Sequence, residues 1–274
     1  MLETADSERR FGGLARLYGP EGAKNIRAAH VVVIGIGGVG SWAAEALARS
    51  GVARLTLIDL DHIAESNVNR QIHALSSTLG QSKVQAMRNR IFDINPHCEV
   101  RCVEEFVDAS NWPAVAQLDT TLEAMAAVRP SLLDACDQVK AKTAIAAWAL
   151  QNSANFITVG AAGGKRHAHK VEVDDLALTT HDPLLAKLRY GLRKDHGAAR
   201  QGKLAIACVF SRESVAQPVT GMQTLQSSQP DSNLNCHGYG SVVSVTATFG
   251  ICAAGWLLNK IATQSSSKAP EITL

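Results

Sequence analysis

The chain has 274 residues, 46% of them hydrophobic and 19% charged, and a net charge of +2. That length supports one large α/β domain or two small ones with a sizeable core, and the composition is that of an ordinary globular protein. The bulk charge is too small to call for a nucleic-acid partner by itself, so charge has to be read locally.

The first distinctive stretch is RFGGLARLYGPEG at residues 10–22, with two arginines, two aromatics and four glycines ahead of any apolar run. It has no hydrophobic stretch and no small-residue cleavage pattern, so it does not read as a targeting segment. HVVVIG at 30–35 is a β-branched run ending in glycine and reads as a buried strand. SWAAEALARS at 41–50 reads as a helix capped by Gly51, and RLTLID at 54–59 as a second strand. This βαβ unit implies a parallel sheet with a right-handed crossover. A helix follows at 82–93, with Val84, Met87 and Ile91 on one face. NPHCEVRCVEEFV gives a turn and a third strand, and 111–127 reads as helix. SLLDACD at 131–137 reads as an apolar strand ending in acid, KAKTAIAAWALQN as a helix, and NFITVGAAGG as a strand with a glycine-rich exit.

Beyond residue 164 the periodicity weakens. Residues 165–203 read as basic and loop-rich, and 211–235 as a mobile Ser/Gln/Pro-rich stretch. The chain after Lys260 reads as a disordered tail. Residues 238–258 carry no charge over 21 positions, long enough to cross a bilayer, yet four glycines and the serines and threonines also suit a buried core segment. Burial is the favoured reading. The six cysteines include no C-x-x-C pair, so structural zinc is not expected, and free thiols in a reducing cytoplasm are.

The chemistry concentrates between residues 35 and 138. GIGGVG at 35–40 fits G-x-G-x-x-G between strand and helix, with Gly35, Gly37, Gly38 and Gly40 allowing a tight turn and close approach of a phosphate. Asp59, nineteen positions after Gly40, stands where a ribose hydroxyl would be bonded. To that point a nicotinamide dinucleotide fits equally well. ESNVNRQ at 65–71 and GQSK at 80–83 argue instead for a triphosphate, with Arg70 forking onto phosphate oxygens and Lys83 at a helix start, where an anion would offset the dipole. Taken singly, each of these cations reads as a solvated surface charge. Asp137, at the carboxyl edge of the sheet, has two readings: a Mg²⁺ ligand beside phosphates, and the N-cap of the next helix.

G-x-G-G-x-G, L-I-D-x-D, S-N-x-x-R-Q, G-Q-x-K and D-x-x-D, spread over 31–138, together resemble the E1-like adenylating superfamily. RFGGLARLYG, GIGGVGSWAAEALARSG, NRQIHAL, DPLLAKLR, CVFSRE and TATFG resemble one branch of it, the tRNA threonylcarbamoyladenosine dehydratases, over nearly the whole chain. The resemblance implies a Rossmann-like α/β fold built on a parallel sheet, with an irregular basic C-terminal part. It implies a single domain over 1–264, made of an arm (1–29), a nucleotide-binding half (30–164) and a basic substrate half (165–264), with a tail over 265–274. It implies ATP and Mg²⁺, with K⁺ or Na⁺ as an accessory ion, and a homodimer working with a cysteine-desulfurase sulfur-acceptor system. The implied activity is ATP-driven dehydration of N6-threonylcarbamoyladenosine at tRNA position 37 to its cyclic form. The nucleotide contacts it carries over are Gly38, Asp59, Ser66, Asn67, Val68, Asn69, Arg70, Lys83, Asp137 and Gln138, with Gln71 beside them. Arg70, Lys83 and Asp137 are the expected catalytic groups. In other branches the opening segment sends an arginine into the partner subunit's ATP site. Gly13 stands at that position here, leaving Arg10 and Arg16 as substitutes. The arm then packs on a dimer partner or folds over its own domain.

Cys208 and Cys236 are the candidates for a thioester intermediate, against the plainer reading of unreactive thiols. Lys187, Arg189, Arg193, Lys194, Arg200 and Lys203 stand against one acid within 187–203, a face suited to tRNA phosphates, with Tyr190 placed to stack on a base. Lys165, Arg166 and Lys170 form a second basic cluster. Two competing classes remain: an E1-like adenylyltransferase acting on the C-terminus of a ubiquitin-like sulfur carrier, and a non-catalytic nucleotide-binding or membrane-associated regulator.

Overall fold

A computed structural model describes residues 6–118, 129–216 and 239–264. Seven strands form one sheet: β1 (His30–Ile34), β2 (Arg54–Ile58), β3 (Glu99–Val103), β4 (Ser131–Asp134), β5 (Asn155–Val159), β6 (Val171–Asp175) and β7 (Ala207–Ser211). Their order is β3-β2-β1-β4-β5-β7-β6. All neighbours pair in parallel except β6, which runs antiparallel to β7 at the edge.

The β-branched runs explain this sheet. Parallel strands are covered on both faces, so they read as continuous apolar stretches rather than alternating ones. Val31 and Val33 of β1 face one layer, which holds Ala43 and Leu47 of α3 (Gly40–Arg49), Val84, Met87 and Ile91 of α4 (Lys83–Ile94), and Phe249 and Leu257 of a long C-terminal helix. Val32 and Ile34 face the other layer, built from Ile145 and Ala149 of α5 (Val139–Gln151) and Leu185, Leu188 and Leu192 of α6 (Pro183–Asp195). Gly51 takes a left-handed φ of +71° just past α3, ending the helix as its position predicts.

Several expectations need correction. The stretch 165–203 is not loop-rich, because it supplies β6 and α6, and β7 follows, so the C-terminal part extends the same sheet. Asp182 N-caps α6 through its side chain, a signal present in DPLLAKLR, with Pro183 in the first turn. Within the expected helix 111–127, residues 111–118 form turns with a single 3-10 turn at Ala114–Ala116, and the remainder lies outside the described residues. β4 stops at Asp134, three residues short of Asp137, and Gln138 rather than Asp137 occupies the N-cap position of α5.

The uncharged C-terminal segment is helix α7 (Val243–Ala262), which continues past Lys260 where a tail was expected. It is long and apolar enough to cross a membrane. One face of it is core, with Val245, Phe249, Ala253 and Leu257 fully buried against α3 and the sheet, as the burial reading requires. The opening stretch forms α1 (Ser7–Phe11) and α2 (Gly13–Ala28), broken at Gly19–Pro20. It folds over its own domain. Phe11 is buried against Gly51, Ile26 joins the core, and Arg10 donates to the Ile94 carbonyl at 2.7 Å, capping α4. Within the chain, Phe11 and Gly22 of the arm are buried by these contacts. Residues 217–238 and 265–274, which include most of the expected mobile stretch and the tail, lie outside the described residues.

Candidate nucleotide-binding and active site

The carboxyl ends of β1, β2, β4 and β5 converge on a cleft of about 580 Å³, within the range of small-ligand sites. It lies where the strand order reverses between β1 and β4, the usual ligand position in an open α/β sheet.

The glycine loop builds its floor. Gly35 has φ +85°, and a Cβ there would stand 2.8 Å from the carbonyl of Ala135. A Cβ on Gly40 would stand 1.8 Å from the Gly35 oxygen. These two glycines close the turn and press the exit of β1 onto the exit of β4. Among the described residues nothing lies within 4 Å of the Cβ position of Gly37, and Gly38 faces the aliphatic stem of Arg70. Val39 caps α3 without a side-chain bond, so the amides and positive dipole end of that helix suit an anion.

The charged groups around this floor are tied to one another. Asp59 Oδ2 accepts from the Ile36 N–H at 2.6 Å, and Oδ1 from the Asp61 N–H at 2.9 Å. Burial raises its pKa against the opposing pull of Lys83 and those two donors. Lys83 opens α4 and is 6% exposed, which corrects its reading as a solvated cation. Its Nζ lies 2.6 Å from Asp61 Oδ2 and 3.9 Å from Asp59 Oδ1. The two acids hold a cation at a helix start that would otherwise repel it. Arg70 is fixed at its backbone by Trp42, whose Nε1 donates to its carbonyl at 3.0 Å, and its Nη1 donates to the Ser66 carbonyl and to Asn69 Oδ1.

Of the other expected nucleotide residues, Gly35, Gly37, Gly38, Ser66, Asn67, Gln71, Asp137 and Gln138 line the cleft. Gly40, Val68 and Asn69 do not. Gly40 shapes the turn, Val68 is exposed, and Asn69 donates to the Ser241 carbonyl, tying its loop to the entry of α7. Asn67 accepts from the Ala64 N–H and holds the local 3-10 turn. Gln71 is buried at the cleft wall, and its Oε1 has no hydrogen-bond partner among the described residues. An open glycine face, an uncapped helix start, two cations and an unpartnered acceptor together fit a nucleoside triphosphate.

Sequence reading missed other parts of the wall. Thr246 of α7, Phe106 in the loop after β3, and Gly160–Ala162 after β5 all line the cleft. It also missed the buried pair of Asp134 and Lys142 beneath the Asp137 loop, with Oδ2 and Nζ 2.9 Å apart and both side chains fully buried. Asp134 is the first acid of D-x-x-D, but its partner lies eight residues on, in α5, where no local pattern marks it.

The basic face resolves into two kinds of arginine and lysine. On α6, Lys187, Tyr190 and Lys194 recur at i, i+3 and i+7 and point outward, opposite the buried leucines. Arg200 and Lys203 are exposed in the following loop. Arg189 instead donates through Nη1 to the carbonyls of Leu176 and Thr179, and Arg193 donates to the Ala199 carbonyl. Those two brace the fold. Lys165 is likewise no phosphate contact. It is buried, and its Nζ donates to the carbonyls of His181, Ser211 and Glu213.

Cys208 is fully buried in β7, and burial pushes its thiol pKa well up, which overturns its reading as a nucleophile. Cys236 lies outside the described residues.

The ThiF family matches residues 12–273. The chain is 40% identical to the tRNA threonylcarbamoyladenosine dehydratase of Haemophilus influenzae over 269 residues, covering 97% of this chain and 98% of that one. The solved structure of the Escherichia coli tRNA N6-threonylcarbamoyladenosine dehydratase in complex with ATP superposes with a TM-score of 0.80 at 39% identity, covering 95% and 97% of the two chains. The same E. coli enzyme in complex with AMP gives 0.78 at 42% identity, with the same coverage. A glycine loop at the strand-order reversal, with an acid at the end of β2, a braced arginine and a buried lysine around it, agrees with that match over nearly the whole chain: this chain belongs to the ThiF family of E1-like proteins.

Proposed function

We propose that this protein is an ATP-dependent tRNA threonylcarbamoyladenosine dehydratase, closing the N6-threonylcarbamoyl group of adenosine 37 into a ring. The observation that carries the reading is the near-complete, two-way coverage of a relative with that name, on a chain whose cleft is lined by Gly37, Gly38, Arg70, Lys83 and Asp137.

The chemistry follows from the site. A free carboxylate is a poor electrophile, and transfer of the adenylyl group of ATP gives it AMP as a leaving group. A nitrogen or oxygen of the same modified nucleoside then attacks, and proximity makes external nucleophiles unnecessary. The protein's task is to hold charge on the α-phosphate. Lys83, Arg70 and the first-turn amides of α3 supply preorganised positive groups for it. Asp137 offers an exposed carboxylate oxygen at the cleft, the hard donor that phosphate-bound Mg²⁺ prefers. This route needs no enzyme thioester, in keeping with the burial of Cys208.

The outward ridge of Lys187, Tyr190 and Lys194, with Arg200 and Lys203, is the tRNA face of this proposal. Lysines grip phosphates and the exposed tyrosine offers a stacking surface. A homodimer completes it, supported by the outward apolar face of α7, where Val243 and Ile251 are exposed.

The test is pyrophosphate release from Mg-ATP with two substrates in parallel: tRNA carrying threonylcarbamoyladenosine, and a ubiquitin-like sulfur carrier. Release with the tRNA alone, together with loss of one water mass from the modified nucleoside, is expected. Release with the carrier alone would transfer the protein to the sulfur-carrier adenylyltransferases and overturn the proposal.

A further inference from the structure

Two fully buried charges sit directly beneath the loop that presents Asp137 and Gln138 to the cleft. Lys142 Nζ lies 2.9 Å from Asp134 Oδ2 and also donates to the Cys136 carbonyl at 2.8 Å. Asp134 Oδ1 accepts from the Cys136 N–H at 3.1 Å, and its Oδ2 accepts from Thr158 Oγ1 of β5 at 2.7 Å. Both backbone groups of Cys136 are therefore held by this one ion pair. The peptide that leads into Asp137 has its orientation set from below, while Ala135 is pressed against Gly35 of the phosphate loop.

Stability does not account for such a pair. Burying two charges costs several kcal/mol of desolvation per ion, and apolar residues of similar volume in the same place are often as stable or more so. Burial works against the Lys142 charge, but Asp134, with the Cys136 and Cys208 sulfurs nearby, raises the lysine's pKa overall, so the lysine stays charged. A hydrophobic replacement would fill the space, but it would leave the Cys136 amide and carbonyl to find other partners. What the ionised pair supplies is direction for the loop.

We propose that Lys142, paired with Asp134, is a positioning residue that acts through the Cys136 peptide to hold the Asp137 carboxylate against the phosphate loop. The inference rests on the reading of the cleft as an Mg-ATP site. Lys142 reaches no reacting atom. Its effect passes through one carbonyl into the residue that follows.

The experiment compares four full-length proteins: wild type, Lys142→Met, the double variant Asp134→Leu/Lys142→Met, and Lys142→Arg. Each is measured for thermal melting, and by calorimetry for ATP affinity with and without Mg²⁺. Lys142→Met strands a buried carboxylate and is expected to melt lower. The double variant removes both charges and is expected to melt near wild type. In it, ATP affinity with Mg²⁺ should weaken about tenfold or more, as for loss of groups that orient metal ligands, while affinity without Mg²⁺ stays unchanged. Lys142→Arg retains the charge and a donor for the Cys136 carbonyl, and should recover most of the Mg²⁺-dependent gain. A folded double variant that binds Mg-ATP as tightly as wild type overturns the proposal. So does a loss of equal size with and without Mg²⁺, because a merely structural role would weaken both. If wild type itself binds no ATP, it is the reading of the cleft that fails, which is a separate outcome.

Discussion

The two halves of this molecule use charge in opposite ways. Around the glycine loop, charged side chains are held by partners within the protein: buried Lys83 by Asp61 and Asp59, partly buried Arg70 by the carbonyl of Ser66, and buried Lys142 by Asp134. On α6 the cations Lys187 and Lys194 stand in solvent on either side of Tyr190, which is 67% exposed. The first arrangement is rigid before any ligand arrives, so its groups need little reorganisation around a developing charge. The second is screened by salt, as exposed cations are. The difference teaches that counting lysines and arginines along a chain does not locate a site. Whether a cation has been desolvated and paired decides what it does.

The sharpest way to break this contrast is at Lys83. Replacing it with alanine should cost about 10²-fold or more in pyrophosphate formation, the scale for removing one preorganised donor from a transition state. It should also lower stability by about 1–2 kcal/mol, less than for a fully buried pair because Asp61 is more than half exposed. Arg70→Ala should show a comparable rate loss with stability within about 0.5 kcal/mol of wild type, since that side chain is only partly buried. Urea denaturation and pyrophosphate assays on the same preparations check both. A Lys83→Ala protein as stable as wild type would mean that the lysine behaves as a surface cation after all.

The next effect is one of pH. His73 is buried, neither ring nitrogen is hydrogen-bonded among the described residues, and burial, helped by the nearby Lys83 and Arg90 charges, lowers its pKa from 6.5 to about 4. A histidine that must stay neutral when folded stabilises fully above pH 6.5, and this contribution is lost as pH falls toward 4. The loss amounts to about 3 kcal/mol at pH 4. Asp59 and Asp182, whose pKa values burial raises, push the other way. The comparison with His73→Phe, by denaturation at several pH values, isolates the histidine. Parallel curves for the two proteins between pH 7 and pH 4 would refute this.

Reversing Lys187 and Lys194 to glutamate should raise the KM for tRNA about tenfold at low salt and flatten its salt dependence, leaving ATP affinity unchanged. Filter binding across a salt series reads it. Adding Arg189→Ala should chiefly lower stability, because that arginine braces the carbonyls of Leu176 and Thr179. The smallest effect belongs to Cys208→Ala, for which kcat should stay within about twofold, since a thiol buried in β7 does no chemistry. A large loss of kcat in a folded Cys208→Ala protein would restore the thioester route.

Elements with local signals could be read along the chain before folding was considered. The β-branched run at 30–34, the glycines from 35 to 40 and the acid after β2 mark a strand, a tight turn and the cleft wall, because period, turn chemistry and spacing act over a few residues. Lys83 was legible for the same reason, because it opens α4, whereas Arg70 and Asp137 lie in turns and were marked by the short motifs around them. Only the tertiary structure decided which charges are buried and with whom. It set Lys83 against Asp61, Asp134 against Lys142, Arg10 on the end of α4, and Arg189 and Lys165 on carbonyls, and it put Cys208 in the core. It also decided that the weakly periodic residues after 164 complete the same sheet. Burial and pairing depend on chain segments far apart in sequence, and the free energy of a charge is fixed by the solvent and partners that those segments leave to it.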